Sequence, residues 1–182
     1  GNSNAEFLII AEMPNQLVAI ASTIGNLLNI GIIRRCMTEH LLGNVHDISK
    51  YAFVDERALK LINKFMPGPL TILLKAKDVV PGYVTHNTGI IGLRVPGMND
   101  ICEMINYVGK PLLVPSANKS GEKPAIDFEQ VKAIFNNEVA YIVEGTSGCQ
   151  SPSTLVDLTG DEIKILREGP ISKAELLSAL EE

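Results

Sequence analysis

Residues 111–121 read PLLVPSANKSG, and in this stretch an apolar strand stops abruptly in a run of small polar side chains. A short apolar run of this kind suits a strand that is covered on both faces. In open α/β sheets, ligands bind outside the ends of the strands, where small residues let a ligand approach the backbone. The stretch therefore indicates either a ligand-binding loop behind a buried strand or an ordinary turn rich in Ser, Asn and Gly.

The residues around this stretch alternate between strand and helix patterns. Apolar or alternating runs predict strands at 17–21, 70–75, 90–95, 112–114, 139–145, 154–158 and 162–167. Helical spacing of apolar residues, with caps at Asp55, Gly109, Asp127 and Ser172, predicts helices at 55–65, 99–108, from 127 onward and at 172–180. This order predicts an α/β fold: a single domain with a twisted, open, mixed sheet flanked by helices.

Composition sets the limits of this interpretation. The 182 residues suit one compact domain, and 46% hydrophobic and 20% charged residues are ordinary for a globular protein. The formal net charge of −5 disfavours a protein that grips nucleic acid through a broad basic face. We assign the domain to residues 6–182 and interpret residues 1–5, which lack an initiator Met, as a cloning remnant.

The cysteines and the apolar stretches bear on the compartment. The three cysteines, Cys36, Cys102 and Cys149, match no CxxC or zinc pattern, which indicates free thiols in a reducing cytoplasm. The longest apolar stretch, 17–33, is too polar and too short to span a membrane. We therefore expect a cytoplasmic protein with no membrane partner.

Three further segments carry side chains suited to binding anions. Arg94 ends an apolar strand, where its planar guanidinium would reach a carboxylate or phosphate, or else form a surface ion pair. Ser153 and Thr154 place hydroxyls where a loop leads into a strand, and Arg167 ends a strand before a Gly-Pro turn. In the opening stretch, Ser116 offers a hydroxyl and Asn118 offers both an acceptor and donors.

In this order, five motifs resemble the YrdC-like family, which includes the threonylcarbamoyl-AMP synthases. The motifs are FMPGPLTILLK at 65–75, TGIIGLRVP at 88–96, PLLVPSANKSG at 111–121, SPSTLVDLTG at 151–160 and ILREGPIS at 165–172. The resemblance implies an enzyme that joins L-threonine, bicarbonate and ATP into threonylcarbamoyl-AMP and releases pyrophosphate. The product supplies the threonylcarbamoyl group of a modified adenosine in tRNA. A divalent cation, Mg²⁺, is expected to accompany the ATP.

The resemblance also assigns roles by position. It implies that Arg94 holds the threonine carboxylate and that Ser116 and Ser153 contact threonine. It implies that Asn118 contacts the nucleotide and that Arg167 meets the phosphate or sugar side of ATP. None of these residues is assigned to covalent catalysis, because the reaction needs positioned reactants and neutralised charge more than a protein nucleophile.

The first forty residues depart from the family pattern. Ser22 and Thr23 follow the strand where the family has a Pro-Thr-x-Thr turn, and only they supply hydroxyls for threonine there. Arg34 and Arg35 stand near the family's Lys-x-Arg pair and would contact the nucleotide; in another alignment Cys36 takes the arginine place. His46 lies either near the substrate or in a solvated loop.

Two classes of function are compatible with five family motifs that follow an altered N-terminal segment. The first is the synthase reaction. The second is a catalytically degenerate YrdC-like paralogue that binds double-stranded RNA, tRNA or a nucleotide without chemistry. A third, weaker alternative is a regulatory subunit beside an active homologue, which would involve other tRNA-modification proteins as partners.

Overall fold

The computed structural model describes residues 7–10, 18–21, 39–82, 84–114, 125, 127–136, 141–142 and 152–181. The chain divides into two compact units, one from residues 1–38 and 112–150, the other from residues 39–111 and 151–182. The predicted site residues Ser22, Thr23, Arg34, Arg35, Ser116 and Asn118 lie outside the described residues.

The described elements include a counterpart of each strand and helix that the sequence predicts, and short additional elements lie at 7–10, 39–41 and 45–51. The strands are β1 (Phe7–Ile10), β2 (Val18–Ala21), β3 (Glu39–Leu41), β4 (Leu70–Lys75), β5 (Ile90–Arg94), β6 (Leu112–Val114), β7 (Tyr141–Ile142), β8 (Thr154–Asp157) and β9 (Lys164–Arg167). The helices are a 3-10 turn (Val45–Asp47), α1 (Ile48–Tyr51), α2 (Glu56–Phe65), α3 (Asn99–Val108), α4 (Phe128–Phe135) and α5 (Lys173–Glu181).

The first unit contains a small antiparallel sheet. Its strand order is β1-β2-β7, with β2 paired antiparallel to both neighbours. Helix α4 begins at the N-cap Asp127, whose carboxylate accepts a hydrogen bond from the backbone N–H of Gln130 at 2.8 Å. This cap confirms the helix start that the sequence predicts at residue 127.

The second unit contains a mixed sheet in which five strands run in the order β3-β5-β4-β8-β9. The pairs β3–β5 and β4–β8 are parallel, whereas β4–β5 and β8–β9 are antiparallel. Because parallel and antiparallel pairs occur together, the mixed character that the sequence predicts for the sheet is confirmed. Strand β3 is not among the sequence predictions, because its three residues are too few to show a period.

One face of this mixed sheet forms the hydrophobic core. Alternate residues of β4 and β5, such as Ile72 and Leu93, are fully buried and pack against α2 and α5. Helix α2 contributes Leu61 and α5 contributes Leu176, both also fully buried. Because strand residues alternate between faces, the remaining residues of the same strands lie on the opposite face, and the candidate site is on that face.

Local capping explains where the helices of the second unit begin and end. Asp55 accepts a hydrogen bond from the Ala58 N–H at 2.8 Å at the start of α2. Gly109 ends α3 in the left-handed region at φ 71°, which glycine adopts at little cost. Ser172 and Glu175 form the predicted capping box at the start of α5.

The α/β class and the mixed sheet flanked by helices are therefore confirmed. The domain limits at residues 1–5 and 6–182 stay a prediction. Across the described residues, no helix combines the length and the apolar character that a bilayer crossing requires.

Candidate functional site

The sheet register places three of the polar positions on the face opposite the helices. Thr71 on β4 pairs with Leu155 on β8, and Leu155 pairs in turn with Arg167 on β9. Leu93 on β5 pairs with Ile72 on β4 in an antiparallel register. The next residue of β5, Arg94, therefore lies beside Thr71 of β4. The four strands therefore present Arg94, Thr71 and Arg167 in one row, whose ends are about 14 Å apart at the backbone because neighbouring strands are about 4.8 Å apart.

Ser153 is the centre of the site, because its hydroxyl is bonded to three other side chains. It donates a hydrogen bond to Glu39 Oε1 at 2.7 Å and lies 2.8 Å from Thr71 Oγ1. Arg167 Nη2 donates a hydrogen bond to the Ser153 hydroxyl oxygen at 3.0 Å. Ser153 and Thr71 are 3% and 2% exposed, so the centre of this network lies away from bulk solvent.

The direction of each hydrogen bond in this network follows from the donors available. An ionised carboxylate only accepts, so the single Ser153 proton goes to Glu39. Thr71 must then donate to Ser153, and Arg167 donates as well. The hydroxyl of Ser153 thus makes one donated and two accepted bonds, which is its full capacity.

Arg167 holds Ser153 at two points. Its Nε donates to the backbone carbonyl of Ser153 at 2.8 Å, while Nη2 reaches the hydroxyl. The residue is nevertheless exposed overall, so part of it remains open to solvent. Arg167 can therefore position Ser153 and meet an anionic group at the same time.

Arg94 is a buried arginine. It is 7% exposed, and its Nε donates to the backbone carbonyl of Gly68 at 2.8 Å. The alternative of a surface ion pair is therefore wrong for this residue. A guanidinium fixed through Nε in a buried position is held in one orientation, which suits planar recognition of a carboxylate.

Thr154 has a structural role. Its hydroxyl donates to Ile171 O at 2.8 Å and accepts from the N–H groups of Gly169 and Ile171. All its hydrogen-bonding capacity is used to attach the loop after β9 to the start of β8. The close approach also needs Gly169, because a Cβ there would lie 2.3 Å from Pro152 O and 2.7 Å from Thr154 N.

The structure thus brings Ser153 and Arg167 into direct contact and places Arg94 on the same sheet face. Sequence reasoning missed Glu39 and Thr71. Thr71 lies inside the recognised 65–75 motif, so that motif could have indicated it. Glu39 is separated from Ser153 by 114 residues, and no local pattern signals their contact.

Two other residues considered from the sequence do not join this network. His46 is exposed in the 3-10 turn, where its backbone N–H donates to Asn44 Oδ1 at 2.9 Å. Cys102 is a free, half-buried thiol, and burial raises its pKa above the ordinary value, which lowers its reactivity. Cys36 and Cys149 lie outside the described residues.

Acidic and other metal-binding side chains do not cluster in the described ranges. Within them, no group of three or more His, Cys, Asp or Glu side chains could hold a metal ion. The described part of the site is accordingly one of guanidinium and hydroxyl groups with a single carboxylate, which is the chemistry of an anion-binding site.

Together, the fold and the site define an α/β protein in which one sheet face carries arginine and serine side chains. A family profile described as Sua5/YciO/YrdC, telomere recombination, matches residues 39–169. This chain belongs to that family, the YrdC-like family, as the five sequence motifs predict.

One relative illustrates the likeness at the sequence level. It is a protein of Methanocaldococcus jannaschii, named provisionally as a threonylcarbamoyl-AMP synthase, and it is 37% identical over 131 residues. The match covers 70% of this chain and 61% of the relative. The chain therefore spans about three-fifths of the length of such relatives.

Two solved structures share the fold. P. abyssi Sua5 in complex with L-threonine aligns with a TM-score of 0.83 at 21% identity, covering 95% of this chain and 53% of that one. E. coli YciO aligns with a TM-score of 0.76 at 23% identity, covering 94% of this chain and 87% of that one. At these identities the likeness concerns the fold alone.

Proposed function

We propose that this chain is a threonylcarbamoyl-AMP synthase domain that condenses L-threonine, bicarbonate and ATP. The observation that carries the proposal is the placement of Arg94, Ser153 and Arg167. These three positions were assigned to substrates from the motifs alone, and they lie on one face of one sheet, with Arg167 bonded directly to Ser153.

The proposed reaction has two steps that balance without a protein nucleophile. The amine of threonine attacks the carbon of bicarbonate, a C–N bond forms and water leaves. An oxygen of the resulting carbamate then attacks the α-phosphate of ATP, and pyrophosphate leaves. Both steps join reactants that carry negative charge, so the protein must position them and offset that charge.

The described residues fit these two requirements. Arg94, buried and fixed through Gly68, would hold the threonine carboxylate in one orientation. Arg167 would face the phosphates with the outer edge of its guanidinium while its inner edge keeps Ser153 in place. Mg²⁺ would enter as part of the ATP complex, bound through phosphate oxygens and water.

An assay of pyrophosphate release tests the proposal. Release should require L-threonine, bicarbonate and ATP together, and labelled bicarbonate should appear in an adenylated product. Release that continues without threonine would indicate simple ATP hydrolysis, and no release under any condition would contradict the proposal.

Nucleotide binding without chemistry is the second candidate, and the position of Glu39 favours it. A carboxylate beside Ser153 opposes the negative charge that develops as pyrophosphate leaves, so it counts against turnover more than against binding of the base and ribose of a nucleotide. Calorimetric titration with ATP separates this candidate from the first, because binding would occur without pyrophosphate release.

Contacts with tRNA, double-stranded RNA or other tRNA-modification proteins, and a cytoplasmic location, stay predictions. Binding to an RNA duplex would have to rely on a local basic surface, because the net charge of the chain is −5. Its affinity should then fall steeply as the salt concentration rises.

A further inference from the structure

Glu39 places a negative charge inside a site whose other side chains suit anions. It reaches Ser153 from β3, which is separated from β8 by β5 and β4 in the sheet order. The residue beside it on β5 is Gly92, which has no side chain on that face. No side chain at the paired position on β5 therefore stands between Glu39 and the rest of this face.

A ligand oxygen and Glu39 need the same proton. A carboxylate or phosphate oxygen can only accept a hydrogen bond, and Ser153 has one proton to give. Thr71 and Arg167 are donors to Ser153, so an anionic ligand does not replace them. Any anion that bonds to the Ser153 hydroxyl must therefore displace Glu39.

Glu39 also weakens the attraction of Arg167 for a ligand. A single hydroxyl oxygen, that of Ser153, separates the Glu39 carboxylate from the Arg167 guanidinium. At this short range in a partly buried site, the negative charge offsets much of the positive potential of Arg167. Among the described residues, the Glu39 side chain accepts its hydrogen bond from Ser153. Because Glu39 is only half-buried, a ligand can displace its carboxylate from Ser153.

We propose that Glu39 is a specificity-determining residue of this site, which competes with an anionic ligand group for Ser153 and Arg167 and so weakens binding of free anions. The inference rests on the proposed function only in taking this face as the ligand site. It assigns Glu39 a role in selecting the ligand, in addition to its contact with Ser153.

The experiment uses inorganic pyrophosphate as the probe and calorimetry as the readout. Glu39→Gln keeps an oxygen that can accept from Ser153 but removes the charge. It should tighten pyrophosphate binding about tenfold relative to the unmodified chain. The matched control is Glu103→Gln, which removes an exposed carboxylate on α3 and should change the dissociation constant less than twofold.

Two further measurements make the outcome decisive. Glu39→Ala should also tighten binding, which covers the case in which the Gln variant folds poorly. The gain should shrink at high salt, because screening weakens charge interactions. Unchanged or weaker binding in both variants, or no pyrophosphate binding in any form, would overturn the inference.

The outcome is separate from that of the proposed function. Tighter binding by Glu39→Gln in a chain that makes no threonylcarbamoyl-AMP would support the inference and contradict the synthase. Turnover in a chain whose pyrophosphate affinity does not change on Glu39 substitution would support the synthase and contradict the inference about Glu39.

Discussion

At the scale of single residues, the site depends on Ser153. Its hydroxyl connects a carboxylate, a buried hydroxyl and a guanidinium, and it is the shared atom of all three contacts. A residue with this many partners affects both the stability of the fold and the shape of the site.

Replacing Ser153 with Ala removes that shared oxygen. The buried Thr71 hydroxyl would lose its acceptor, and an unsatisfied buried polar group costs about 1–3 kcal/mol. We therefore expect the free energy of unfolding to fall by about that amount, measured by denaturant titration. Ser178→Ala, on the exposed side of α5, should stay within about 0.5 kcal/mol of the unmodified chain; an equal cost in both variants would contradict the network.

Arg94 gives a second prediction at this scale. Arg94→Lys keeps the charge but loses the Nε–H that donates to Gly68, so threonine affinity should fall at least about tenfold. Arg94→Ala should also lower the free energy of unfolding by about 1–3 kcal/mol, because Arg94 is buried rather than on the surface as the sequence also allowed. Lys173→Ala, which removes an exposed cation, should change neither quantity, and a normal threonine affinity in both Arg94 variants would rule out its assigned role.

Sequence analysis identifies the residues with local signals and misses those defined by distant pairing. Arg94, Ser153 and Arg167 lie at strand ends inside recognisable motifs, so their type and position suffice. Glu39 and Thr71 gain their roles only when β3, β4 and β8 come together, and the register of those strands is not visible in any one segment.

At the scale of elements, the loop after β9 holds Arg167 against Ser153. Thr154 bonds this loop through its hydroxyl, and Gly169 lies against the backbone of residues 152–154. The sequence predicts a Gly-Pro turn here, but the reason for the glycine is the proximity of another segment.

Gly169→Ala tests this loop. The new Cβ would lie 2.3 Å from Pro152 O and 2.7 Å from Thr154 N, so backbone must move. We expect a loss of about 1–3 kcal/mol in the free energy of unfolding and a loss of the Arg167–Ser153 contact, visible in the crystal structure of the variant. Gly160→Ala, whose Cβ would meet nothing within 4 Å, should be neutral or slightly stabilising; similar behaviour of the two variants would refute the close approach.

The start of α2 gives a pH-dependent prediction. Burial raises the pKa of the Asp55 carboxyl, but the Ala58 N–H and the Arg57 guanidinium outweigh burial and hold the pKa below its ordinary value of 3.8. A lowered pKa in the folded state means that the carboxylate stabilises the fold above the unfolded pKa. This contribution is then lost as the pH falls through the folded pKa.

Substitutions at Asp55 separate the cap from the charge. Asp55→Ala should cost about 0.5–1 kcal/mol at pH 7, the low end for an N-cap because the side chain is 45% exposed. The cost should shrink as the pH falls below 4. Asp55→Asn keeps a capping oxygen and should lose only the pH dependence of the stability, measured by thermal unfolding from pH 7 to pH 2.5. A cost of Asp55→Ala that stays constant over this pH range would contradict the role of the carboxylate in the cap.

At the scale of the whole molecule, the proposed site depends on one face of the mixed sheet. The helices cover the other face with an apolar core, so the polar residues of β4, β5, β8 and β9 are left to form a site. The alternation of strand and helix patterns along the chain made the fold class predictable from the sequence. The chemistry of the site depends on how five strands are ordered, which the sequence does not state.

The most direct test is a crystal structure of the chain grown with L-threonine and ATP. We expect the threonine carboxylate at Arg94 and the phosphates at Arg167, with Glu39 moved away from Ser153. Ligand bound elsewhere on the molecule, or a site face that stays empty at saturating substrate, would contradict this expectation.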